Sequence, residues 1–103
     1  MGELPLYEEE SLRFRAPRLY DRMMEAFSNY NLHPYDAEAT ITQKEEGMDL
    51  SIRLGGSLID LATIHISPKQ AEEPDEEVIS FFETAAEECK NLLIKNYFNM
   101  IKL

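Results

Sequence analysis

The stretch from Pro74 to Leu103 constrains the fold more than any other, because it reads as one unbroken helix longer than a small domain can cover. Asp75 stands where an N-cap is needed, and Glu76 and Glu77 put carboxylates in the first turn, against the positive end of the helix dipole. Pro74 falls at the boundary, where a missing N–H costs nothing. No glycine or proline follows. Val78, Ile79, Phe82, Ala85, Ala86, Cys89, Leu93, Tyr97 and Met100 recur at helical spacing. About 27 residues at ~1.5 Å each make roughly 40 Å of helix, whereas a seven-residue strand spans about 23 Å. A small sheet leaves part of such a helix uncovered.

The far half of this helix is apolar on more than one side. Stepping about 100° per residue from Leu92, the side chains of Leu103, Met100, Leu93, Tyr97, Ile101, Ile94 and Phe98 spread over roughly 240°. Lys95, Lys102 and Asn99 occupy the remaining arc, and Asn96 interrupts the apolar one. A single core-facing stripe needs little more than about 100°, so the surplus predicts a second covering surface. Charge is sorted along the same segment. Six acids and no base lie between Asp75 and Glu88, while Lys90, Lys95 and Lys102 follow with no acid. Two readings fit: complementation of the helix dipole, or an antiparallel pairing of two copies, acidic front against basic tail.

With 103 residues, the chain is expected to form one α+β domain over 11–103, preceded by a flexible arm over 1–10 that carries Glu8, Glu9 and Glu10. Its 44% hydrophobic and 29% charged content are ordinary for a globular protein. One cysteine excludes an internal disulfide, and the lack of a leader-like or long apolar run points to a cytoplasmic protein. The net charge of −10 opposes generic binding to nucleic acid or to anionic membranes.

Ser11 to Ala16 alternates and reads as a short strand, or else as a helical start that Pro17 interrupts. Pro17 opens a helix to about Tyr30, with Leu19, Tyr20, Met23, Met24, Phe27 and Tyr30 on its apolar face. Three strands follow: Ala37 to Lys44, Met48 to Leu54 and Leu58 to Ile66, joined by turns at Glu45-Glu46-Gly47 and Gly55-Gly56. In the last of them both parities are apolar, which requires either a bulge near Asp60 to Thr63 or cover on both faces. Ser67 to Pro74 reads as a polar, flexible connection. The expected architecture is thus helix, three-stranded antiparallel meander and long C-terminal helix, with or without an N-terminal strand, and helices on one face of the sheet.

That order of elements resembles double-stranded RNA-binding domains and, with a leading strand, the layout of ribosome hibernation factors. Both families place lysines and arginines near the start of their second helix to hold phosphate. Here that place reads Glu72-Glu73-Pro74-Asp75-Glu76-Glu77, so the resemblance extends to architecture and not to RNA binding.

Chemistry-bearing patterns are sparse. Arg13, Arg15, Arg18 and Arg22 form the only basic cluster, a candidate anion contact whose alternative is pairing with the chain's own acids. His33 and His65 are isolated, Cys89 has no companion, and the acidic runs lack the spacing of a calcium loop, so no metal or cofactor is expected. Cys89 falls in an apolar stripe and Ser57 in a turn, with no triad or nucleophile elbow, so no enzyme is expected. The sequence therefore predicts a non-enzymatic regulatory or interaction protein acting as a homodimer, or with another protein, without nucleic-acid or membrane binding. Its expected contacts are the edge strand (Leu58, Ile59, Leu61) and the overhanging helix (Leu93, Ile94, Tyr97, Phe98, Ile101). Two alternatives are an acidic mimic that fills the basic groove of a nucleic-acid-binding protein, and an anion-binding module on the Arg13–Arg22 face.

Overall fold

The computed structural model describes residues 9–57 and 59–101, with side chains to residue 96. Elements run in the order β1 (Glu9–Ser11), α1 (Leu12–Arg15), α2 (Pro17–Ser28), a 3-10 turn (Pro34–Asp36), β2 (Ala37–Gln43), β3 (Met48–Leu54), β4 (Asp60–Ile66), α3 (Pro68–Glu72) and α4 (Glu76–Ile101). The strands form one antiparallel sheet in sequence order, with β1 and β4 at its edges. This is the expected α+β meander with a leading strand and a long final helix.

Alternation decides the faces. Ala37, Ala39 and Ile41 of β2 pair with Leu54, Ile52 and Leu50 of β3, and all six are buried. On β4, Ala62, Ile64 and Ile66 continue that inner layer opposite Ile52, Leu50 and Met48. The helices complete the core from one side: Leu12 of α1, Leu19, Met23 and Phe27 of α2, and Val78, Phe82, Ala85, Ala86 and Cys89 of α4. The opposite face is polar and carries Glu9, Thr42, Asp49, Ser51, Arg53, Thr63 and His65. Arg53 holds Glu9 through two hydrogen bonds of 2.7 and 3.0 Å and Asp60 through one of 3.2 Å. One guanidinium thereby links β1, β3 and β4, and the register carries the Glu9–Arg53 pair diagonally across β2 at Thr40.

Three local expectations change. Ser11 to Ala16 is not the strand but the alternative helical start: β1 ends at Ser11, residues 12–15 make one helical turn that buries Leu12 and exposes Phe14, and a new helix begins at Pro17. Glu9 and Glu10, assigned to the arm, form β1, and residues 1–8 lie outside the described ones. The connection after β4 is not irregular: Ser67 accepts the N–H of Gln70, the Gln70 side chain accepts the N–H of Ser67, and this capping box starts α3 with Pro68 at its first position. Of the two readings of β4 the bulge is observed. The register shifts opposite Ile52 and Arg53, so Leu61 is the extra residue.

Candidate functional site

The Asp75 carboxylate accepts the N–H of Val78 at 3.1 Å and starts α4. The helix then crosses the sheet beside α2 and β4. Its direction is fixed by two anchors. Near its start, Gln70 of α3 reaches Asp75 and Glu77; further on, the Cys89 thiol donates to the carbonyl of Asp36 at 3.6 Å. The same carbonyl accepts the N–H of Gly55 at 2.8 Å. Cys89 therefore stands at the end of the sheet where the 3-10 turn meets the β3–β4 hairpin. Backbones approach so closely there that a Cβ on Gly55 would run into the carbonyl oxygen of Tyr35 and lie 2.9 Å from the carbonyl carbon of Asp36.

Full burial along α4 stops at this point among the described side chains. Cys89 is fully buried, whereas among the described side chains beyond it Leu92 and Leu93 are half-buried and Ile94 is 44% exposed. The helix nevertheless continues to Ile101. From Leu92 to Ile101 it runs a further ~15 Å at ~1.5 Å per residue, with Leu93 still packed against the core. Two more exposed apolar side chains belong to the same end. Tyr35, in the 3-10 turn, is 77% exposed, and Ile59, whose carbonyl accepts the N–H of Leu54 at 2.9 Å, is 49% exposed. Monomers carry scattered exposed apolar residues without consequence; Tyr35 and Ile59 stand on segments that meet at this end, and Ile94 lies about one turn and a half past Cys89.

The expected contact residues divide accordingly. Ile59, Leu61, Leu93 and Ile94 lie on β4, on the segment before it, or on the projecting helix, Leu61 and Leu93 half-buried against the core. Leu58 and the side chains of Tyr97, Phe98 and Ile101 lie outside the description. Tyr35 was missed, and nothing in the sequence distinguishes it from a turn tyrosine. The outer edge of β4 makes no strand pairing among the described residues.

The four arginines do not converge. Arg15 pairs with Glu10 at 3.1 Å, Arg22 with Glu25 at 3.5 Å, and Arg13 lies 6.0 Å over the Phe14 ring. Arg15 and Arg18 share a groove of about 550 Å3 with Met48, Pro68, Glu72 and Glu73, so two acids offset the two bases. Arg13 and Arg22 line separate depressions. Among the described residues no group of three His, Cys, Asp or Glu side chains is placed to hold a metal ion, and no helix is long and apolar enough to cross a membrane. Comparison of the chain with protein-family models, curated proteins and solved structures finds no match in any of the three.

Burial, helped by Asp36, pushes the Cys89 thiol up to about 11. Since the thiolate is the reactive form, iodoacetamide at mildly alkaline pH is expected to alkylate native Cys89 about 100-fold more slowly than the denatured chain. Equal rates in the two states would contradict the packing of α4 against the 3-10 turn.

Proposed function

We propose that the protein is a non-enzymatic, cytoplasmic interaction module that works as a homodimer through the free edge of β4 and the projecting half of α4. The observation behind this reading is that Cys89 is the last fully buried residue among the described side chains of α4, while the helix runs on to Ile101. The register of β4 supports a second copy as the occupant. A two-fold axis through Thr63, the middle residue of Asp60–Ile66, pairs Ala62 to Ile64 with their copies, up to the bulge at Leu61, and joins two four-stranded sheets into one. Ala62 then faces Ile64 of the partner subunit.

The same axis disposes the helices. Roughly 23 Å of β4 equals about 15 helical residues, so Thr63 is level with about Phe82, midway between Asp75 and Cys89. Since α4 lies beside β4, its copy runs antiparallel to it. Lys90 comes beside the Asp75–Glu77 turn of the partner, and each projecting end passes the partner's α3. Charge favours this placement in a chain of net −10, because no acid lies between Lys90 and Leu103 and Asp60 is the only acid on β4.

A cysteine at Thr63 tests the arrangement. Directly opposed residues of an antiparallel pair stand about 4.5–5.5 Å apart, within disulfide reach. Oxidised Thr63→Cys is expected to run as a covalent dimer, whereas Ser51→Cys, one strand further from the axis, is expected to stay a single chain. Failure of Thr63→Cys to cross-link, or equal cross-linking by both variants, would reject the β4 axis.

A further inference from the structure

His65 stands next to the last position of β4, directly across from Asp49 of β3 on the polar face of the sheet. Its ring meets two acceptors at once. Nδ1 lies 2.7 Å from Asp49 Oδ1, and Nε2 lies 2.5 Å from the carbonyl oxygen of Glu46 in the β2–β3 turn. A neutral imidazole has one N–H and can satisfy only one of these oxygens, whereas imidazolium donates to both. The surroundings favour the cation. Asp49 faces it from β3, and Glu46 adds its carbonyl and its negative charge from the turn. Lys44 lies 3.9 Å from the other Asp49 oxygen and offsets part of this field. The helices pack on the opposite face, and among the described residues Asp49 and Glu46 are the charges that act on the ring.

The turn itself is pressed onto β4. Gly47 has a φ of +92°, and a Cβ there would run into the carbonyl of Ile66 and lie 3.1 Å from His65 Nε2. Lys44 N–H and the Gln43 side chain both donate to the Gly47 carbonyl at 2.9 Å, so these bonds hold the base of the turn. Among the described residues, the Glu46 carbonyl at its tip is tied to the sheet through His65 alone.

We propose that His65 is a proton-operated latch, which when charged ties the β2–β3 turn to edge strand β4 and when neutral lets the turn go. The hydrogen bond to Asp49, then that to Glu46, raises the folded-state pKa above the ordinary histidine value, with partial burial opposing. The latch is therefore fully closed below the unfolded-state value of about 6.5. It opens as pH rises through the higher folded-state value.

The test is a pH series on the full chain, over about pH 5 to 9, that follows the histidine ring nitrogens by NMR and hydrogen exchange at residues 45–47. With the intrinsic pH dependence of exchange removed, the expected results are two protonated ring nitrogens on His65 at the acid end, a midpoint above the ordinary value, and turn amides that lose protection several-fold through that midpoint. Asp49→Asn is expected to lower the midpoint, and His65→Gln to make the turn indifferent to pH. A His65 midpoint at or below the ordinary value, an unchanged midpoint in Asp49→Asn, or a turn that still responds in His65→Gln would each overturn the proposal.

Discussion

Phe82→Ala is expected to remove about 3–5 kcal/mol of stability. The ring is fully buried where α4 crosses the sheet, with Phe81 tilted against it at 5.9 Å between ring centres. Truncation loses the transfer free energy of the ring and leaves a cavity that the surrounding helices cannot close by small shifts. A domain of this size holds about 5–15 kcal/mol in total, so this one change removes a large share of it. Thermal unfolding followed by circular dichroism, at fixed protein concentration, should show Tm lower by about 12 °C or more. A shift of only a degree or two would mean that α4 is not docked as described.

Ile94→Glu is expected to do the opposite: leave each copy folded and separate the pair. Ile94 is 44% exposed, and a surface change of this kind alters folding stability by about 0.5 kcal/mol or less. In a two-fold dimer the substitution is made twice. At ~2 kcal/mol per apolar anchor, association weakens by roughly a thousandfold. Sedimentation velocity over a dilution series reads the dissociation constant, and circular dichroism confirms the fold. Unchanged association would remove the projecting helix from the interface, whatever β4 does.

Much of this arrangement was legible because it rests on period and on caps. Met48, Leu50, Ile52 and Leu54 alternate cleanly and form the inner face of β3; Asp75 caps α4; and Pro17 opens α2. The bulge at Leu61 was announced by apolar residues on both parities of β4. Elsewhere the signal was too short or went unweighed. Over Leu12 to Arg15, one turn of helix and four residues of strand show the same alternation, and only the packing of Leu12 against α2 and β2 decides between them. The Ser67 to Gln70 spacing is that of a capping box, so α3 was readable from the residues, yet its acidic surroundings resembled a linker. His65 looked isolated because its partners are 16 and 19 residues away. A two-residue turn at Gly55-Gly56 would bring Asp49 opposite Ala62; the longer connection to Asp60 and the bulge at Leu61 put His65 there instead. Tyr35 could not be found, since its importance comes from the hairpin and helix that end beside it.

Exposed Tyr35, Ile59 and Ile94, and the edge of β4 that makes no strand pairing among the described residues, are separate features that one two-fold axis would cover together. The most direct measurement is the mass in solution at tens of micromolar protein by sedimentation equilibrium. The account predicts twice the 11.9 kDa chain mass, falling toward a single chain in Ile94→Glu. A wild-type mass of one chain at that concentration would contradict it.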